Sequence, residues 1–318
     1  MKITFEQLKR FICESNIYDE YEDILCEIFD VEDISKITPM KYQKMLQDYE
    51  YDALNEHDSA LLEDATDLVH KAAMENGYNI IAHHGTSKRF SEFKYGDIGF
   101  HLGTLEQAHL AGKSHLSFGD DDVIYLNVAI SLHKPLVLES DPESWAPDDI
   151  IDGALNLVYK YRRLVGLDEK EDFHAFAVNP KHIEMVEKKI QEAIQDGIIV
   201  IDSGEKYNRS SISFLILYKL LQFSLTEIIN LREKKVDAKQ ALVGKAKSLG
   251  YDGIKYLNLF EVDHETDEQE YSYIVFDANQ IKNCEVISFK NGKIVPLENR
   301  FNSSTNNLFE VNNKIRIL

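Results

Sequence analysis

The order in which extended and helical textures alternate constrains this chain more than any other feature of its sequence. NIIAHHGT at 79–86, DDVIYLNVAI at 121–130 and KPLVLES at 134–140 are short apolar runs bounded by turn residues, and they read as buried strands. The same texture returns in GIKYLN at 253–258, SYIVF at 272–276 and CEVISF at 284–289. Between the two groups, from Pro147 to about Gln240, apolar residues recur at helical spacing in DDIIDGALNLVYKYRRL, PKHIEMVEKKIQEAIQ and FLILYKLLQFSLTEIINLREKK. No repeat, low-complexity tract or proline-rich linker separates these blocks, so the sequence predicts an α+β domain carrying a helical insert.

The residues before Gly77 predict helices. Leu8, Phe11 and Ile12 share a helical face, as do Tyr21, Ile24, Leu25 and Ile28, with Pro39 breaking the pattern. The expected organisation is an acidic helical region over 1–76, a catalytic domain over 77–295 with its insert at about 147–240, and a tail over 296–318. The tail holds a loop, FNSSTNN, and a final apolar strand candidate.

Charge and cysteine usage narrow the class. The net charge is −20, and residues 1–75 hold 19 acidic against 7 basic side chains, a net of −12. That balance argues against a broad electrostatic grip on nucleic acid or anionic lipid. Cys13, Cys26 and Cys284 form no C-x-x-C pair and predict neither a disulfide framework nor a thiolate zinc site. The start, MKITFEQLKRF, is too charged for a signal core, so a cytoplasmic protein with no membrane partner is expected, in a host cytosol if it is a secreted effector.

Three stretches carry chemistry. His83-His84-Gly85-Thr86 ends a strand, and its glycine lets backbone approach a ligand beside an imidazole. Tyr95-Gly96-Asp97-Ile98-Gly99-Phe100-His101-Leu102-Gly103-Thr104 runs from strand into helix, Thr104 and Gln107 forming a capping-box pattern whose free N–H groups suit a polar or phosphate ligand. Around Glu268, Glu270 and Ser272, carboxylates at a strand mouth are suited to a sugar hydroxyl or an oxocarbenium-like centre. Each pattern also has a purely structural use, as a turn or as solvated charge. His83, His84, His101, His109 and His115 raise a metal site, but none sits in H-E-x-x-H or a regular ligand spacing, and no metal is expected.

Taken in order, these segments resemble the ADP-ribosyltransferases of the diphtheria-toxin and poly-ADP-ribose polymerase type. The likeness is greatest to the transferase-like domains of phage polyvalent proteins and related bacterial toxins. It rests on the His84-Gly85-Thr86 turn, Phe90 and Phe93, the turn from His101 to Thr104, and Lys134-Pro135-Leu136. Gly250-Tyr251-Asp252-Gly253-Ile254 follows, and then Ser272-Tyr273-Ile274-Val275-Phe276 leads to Gln280-Ile281-Lys282. It covers about 77–140 and 241–288, leaving the N-terminal region and the insert outside.

The resemblance implies an ADP-ribosyltransferase-like split β-sandwich that takes NAD as a substrate. It makes His84 the partner of a ribose hydroxyl, gives Gly85 the nicotinamide amide, and puts His101 against the nicotinamide ring. His83, Thr86, Phe93, Tyr95, Phe100, Gly103 and Thr104 would complete the NAD site. Ser272 stands where those enzymes carry a catalytic glutamate, and Glu270, on the same side of an extended strand, is the expected carboxylate ahead of Glu268. The implied activity is mono-ADP-ribosyl transfer to a macromolecule by a toxin, effector or phage-conflict protein. Net charge favours a protein acceptor over RNA or DNA. A neutralising protein partner could dock on the acidic segment, and a nucleic acid would approach near Lys88, Arg89 and Lys94. The alternatives are an NAD glycohydrolase and a catalytically inactive binding protein on the same fold.

Overall fold

The computed structural model describes residues 16–50, 54–86, 90–94, 96–114, 123–160, 180–196, 209–233, 237–258, 261 and 270–308. In chain order, helices α1 (Ile17–Phe29), α2 (Pro39–Glu50) and α3 (Glu56–Glu75) precede strands β1 (Ile80–Thr86) and β2 (Phe100–Leu102). Helix α4 (Leu105–Ser114) leads to β3 (Ile124–Ile130) and β4 (Pro135–Leu138). Then come α5 (Pro147–Lys160), α6 (Pro180–Gln195), α7 (Arg209–Phe214), α8 (Leu225–Glu233) and α9 (Ala238–Ser248). The chain returns to strands in β5 (Gly253–Leu257), β6 (Tyr271–Val275), β7 (Ile281–Asn283), β8 (Phe289–Lys290) and β9 (Lys293–Ile294). The fold is thus mixed α and β, and among the described residues no single helix is long and apolar enough to cross a membrane.

Two compact units divide the chain. The first gathers Met1–Lys94, Leu102–His133 and Asp277–Leu318, the second Tyr95–His101 and Lys134–Phe276.

In the first unit, local sequence explains the helices. Asn16 and Asn55 cap α1 and α3 through side-chain oxygens that accept from Tyr18 and Asp58 N–H groups. Pro39 opens α2 rather than merely interrupting a helix, because its missing N–H is no loss in a first turn, and the Thr38 hydroxyl accepts from Lys41 N at 3.3 Å. Ile17, Tyr21 and Leu25 on α1 and Leu62, Ala65, Val69, Ala72 and Ala73 on α3 form buried stripes. These stripes share one core with Ala129 of β3 and with Ile287, Phe289, Leu297 and Phe301. The expected boundaries at 76 and 296 therefore do not fall between compact units. Apolar residues from before 76 and after 296 close the same core as the β1–β3–β7 sheet, whose strands pair antiparallel.

CEVISF, expected as a strand, is not one. Only its last residue starts β8, and 284–288 is bent and buried. Side chains replace a strand ladder there. Arg300, with no exposed surface, donates to the carbonyls of Glu285 and Val286, both at 2.9 Å, and to Val295 O at 3.1 Å. Its remaining amine donates to the Tyr21 hydroxyl, which itself donates to Val286 O, while the Tyr42 hydroxyl accepts from Ile287 N. The final apolar strand candidate lies outside the described residues, but the segment before it is held: Lys282 donates to the carbonyls of Thr305 and Asn307, and burial pulls its amine down to about 8.

In the second unit the sheet order is β2–β6–β5–β4, with β4 and β5 parallel and β5 and β6 antiparallel. Leu136, Leu138, Ile254 and Ile274 join a core with Ile150, Ala154, Ile212, Leu217, Ile228 and Leu242 from the insert. Sheet and insert thus bury each other's apolar faces. A π-helical stretch, Leu215–Leu220, extends α7, and Asp237 caps α9 through an oxygen accepting from Gln240 N at 3.1 Å.

Candidate functional site

The first unit presents β1 with its two faces split between the paired histidines. His84 meets Phe90 and Phe93 edge-on, at centroid distances of 5.9 and 5.0 Å, and the two phenylalanines pack at 4.7 Å. His83, expected to serve the same ligand, turns the other way, since side chains on an extended strand alternate. Its Nδ1 lies 2.9 Å from the Asn127 side-chain oxygen across the β1–β3 pair, and its backbone exchanges hydrogen bonds with Gly103 at 2.8 and 3.0 Å. Burial, the largest influence, lowers the His83 pKa against the opposing effect of Asn127. Burial thus favours the uncharged form of His83, whose ring is engaged with Asn127.

Gly85, read as a backbone ligand, has a steric purpose. A Cβ there would stand 1.7 Å from the Ala108 carbonyl oxygen and 3.1 Å from Gly112 N, so only glycine lets α4 lie on β1. Thr104 and Gln107 form the expected capping box, Thr104 N donating to Gln107 Oε1 at 2.9 Å and Gln107 N to Thr104 Oγ1 at 3.3 Å. His109 of α4 stacks on Tyr125 of β3, 14° from parallel, and its Nδ1 bonds the phenol, a pair the sequence reading noted only as one of five histidines.

The second unit brings two of the three motifs together. Gly96 and Gly99 shape the turn before β2: a Cβ on Gly99 would meet Val275 O at 2.4 Å, and Lys239 donates to Gly96 O at 2.6 Å. Phe100 is buried, and His101 beside it is half-buried, with its Nδ1 3.4 Å from the Tyr256 hydroxyl. Trp145 completes an aromatic cluster, its ring 4.9 Å from Tyr256 and 6.5 Å from His101. Burial raises the Tyr256 phenol first, and the charges of Asp141 and Glu261 raise it further, so this hydroxyl stays protonated and able to donate.

Ser272 sits directly opposite Tyr256 in the β5–β6 register, but only 3% of it is exposed. Its hydroxyl accepts from Asn258 Nδ2 at 2.9 Å, and the same amide donates to Glu261 Oε2 at 2.9 Å. Glu261 N donates back to Asn258 Oδ1 at 2.9 Å. Glu270 is half-buried just before β6, and its backbone carbonyl accepts from Asn258 N at 3.0 Å. Tyr95, Glu268, Lys88, Arg89 and His115 lie outside the described residues.

The sequence reading placed Tyr256 and Asn258 in a chemistry-bearing stretch without giving them a role, and it did not single out Trp145, Glu261 or Asp141. The lone tryptophan and the Tyr256-x-Asn258 spacing, which the register carries beside Ser272, were the available signals. Among the described residues no group of three or more His, Cys, Asp or Glu side chains could hold a metal ion.

The arrangement sets a buried phenol and a buried indole, at 3% and 5% exposure, beside a half-buried imidazole, with a tethered, half-buried carboxylate reached through Ser272 and Asn258. Comparison with family models, with curated proteins and with solved structures gives no match to this chain.

Proposed function

We propose that the chain is an NAD-dependent mono-ADP-ribosyltransferase of the split β-sandwich kind, and that it modifies a macromolecule. One observation carries the reading. His101 and Ser272, singled out from separate motifs, lie on neighbouring strands β2 and β6 and converge on Tyr256, which is 155 residues from His101 in the chain. Within the first unit, His84 in its aromatic wall of Phe90 and Phe93, with Thr86 further along the same face of β1, keeps the ribose-binding role that the resemblance implies. His101 and the aromatic rings beside it would hold the nicotinamide. Positioning and electrostatics would supply most of the rate, because the reaction needs little covalent help from the protein.

The acceptor is proposed to be a protein. The helices of the first unit carry much of the net −12 of residues 1–75, a charge that draws basic surfaces in a salt-dependent way. A cytoplasmic site of action and a neutralising protein partner are part of the same proposal.

The test is nicotinamide release from NAD by the purified chain, with mass spectrometry of protein and RNA fractions for an added ADP-ribose. His84→Ala and His101→Ala should each lower release at least ~10-fold, since each removes a positioning contact, while the unfolding midpoint holds. Release at the parental rate in both variants overturns the reading. Release with free ADP-ribose as the sole product makes the protein a glycohydrolase.

A further inference from the structure

When nicotinamide leaves NAD, positive charge grows at the ribose carbon, and a fixed carboxylate nearby stabilises it. Ser272 has no carboxylate, and at 3% exposure it is sealed behind other groups. What it touches leads outward. Its hydroxyl holds the amide of Asn258, itself 2% exposed, and that amide holds the carboxylate of Glu261, which is half-buried and so reachable from solvent. Asn258 grips Glu261 twice, through its Nδ2 to the carboxylate and through its Oδ1 from the backbone N–H, both at 2.9 Å. Glu270, the acid expected from sequence, enters this arrangement through its backbone carbonyl, which pins Asn258 N at 3.0 Å.

We infer that Glu261 is the carboxylate of the reaction and that Ser272 and Asn258 position it, an assignment that rests on the ADP-ribosyltransferase reading. Two features make Glu261 fit the role. Ser272, which leads through Asn258 to Glu261, stands opposite Tyr256 in the β5–β6 register, and the Tyr256 hydroxyl lies 3.4 Å from His101 in the cluster proposed to face the nicotinamide. It is held at two points by Asn258, and a preorganised carboxylate needs no rearrangement as charge develops.

In the step itself the bond between the ribose carbon and the nicotinamide ring nitrogen breaks. Its electron pair stays on that nitrogen, which becomes neutral. A lone pair on the acceptor forms the new bond to the ribose carbon, and the acceptor's proton passes to water. Glu261 remains ionised throughout and balances the cationic carbon.

Steady-state nicotinamide release by the full chain tests this. Glu261→Gln should lower kcat by about 10²-fold or more, the usual cost of deleting a preorganised electrostatic contact, with KM within about twofold. Sodium formate should restore turnover to Glu261→Ala, as an added carboxylate fills the emptied place, a rescue that a merely structural residue would not show. Ser272→Ala should lower kcat at unchanged KM, and Ser272→Thr, which keeps the hydroxyl, should recover it. Parental kcat in Glu261→Gln, or a dead Glu270→Gln beside an active Glu261→Gln, overturns the assignment and leaves the transferase reading standing. A parental chain that releases no nicotinamide overturns both.

Discussion

The two units are closed by different kinds of chain geometry. In the first, Tyr21 meets Arg300 at a separation of 279 residues, and the core joins helices from before residue 76 to a segment after 296. In the second, nearly everything comes from the single stretch Lys134–Phe276, with only Tyr95–His101 added from elsewhere. A lesion in the buried core of the first unit should therefore act through stability. In the second, the polar chain from Ser272 to Glu261 can be altered at its partly exposed end with little loss of buried apolar surface, so such a lesion should leave stability nearly unchanged and fall on the proposed activity.

The harshest way to break this contrast is to shorten the chain to begin at Asn76. That removes Tyr21, Leu25, Leu62 and Val69 from the first core, and the shortened protein should show no cooperative transition for that unit by near-ultraviolet circular dichroism. A normal transition, with NAD turnover retained, would show that the helical region is a separable module after all.

A smaller change sharpens the same point. Arg300→Met leaves the buried carbonyls of Glu285, Val286 and Val295 without that donor, and each such group costs about 1–3 kcal/mol, so a loss of about 3 kcal/mol or more is expected in urea denaturation. A loss under about 1 kcal/mol would mean that Arg300 is not what closes the unit.

Next is a matched pair of glycines. Gly85→Ala forces a methyl group into the Ala108 carbonyl of α4 and should cost the first unit about 1–3 kcal/mol, because backbone must move. Gly244→Ala, within α9 and with nothing in the way of a Cβ, should stabilise the second unit by up to about 1 kcal/mol. Equal effects of the two changes in thermal melts would remove the steric explanation.

The smallest effect is one of pH. His83 and His70, both in the first unit, are held by burial below their ordinary value of 6.5. At pH above 6.5 both folded and unfolded forms are neutral and no stability is lost. As pH falls below 6.5 the unfolded chain takes up protons that the folded chain resists, so stability declines through that window until the folded histidines protonate too. His83→Gln should flatten that decline in melts between pH 7 and 5. An unchanged slope would place its origin elsewhere.

Much of this was legible in the sequence where local rules decide. The strand ends at 86 and 130, the capping box at Thr104 and the insert helices follow from period, turn residues and caps. Contacts across the chain were not legible. His83 and His84 look equivalent as a pair of letters, and only the strand's two faces separate them. Gly85 reads as a ligand's doorway, and nothing in sequence shows that a Cβ there would stand 1.7 Å from a helix carbonyl oxygen. Glu270 stands out by its two-residue spacing to Ser272, whereas nothing local announces that Asn258 joins that serine to the carboxylate of Glu261. CEVISF read as a strand because its apolar residues were visible and Arg300, which takes two of its carbonyls, was not.

The Arg300 clasp also sets a timetable. Translation runs from the amino end, so α1 leaves the ribosome long before the guanidinium that fastens Tyr21 and the 285–286 carbonyls has been joined to the chain. The first unit, which carries His84, must wait in an unfinished state until then, whereas the second has all its strands and helices once Phe276 is made. Until Arg300 is made, the apolar faces of α1 and α3, which the segment after 296 helps to cover, stay open.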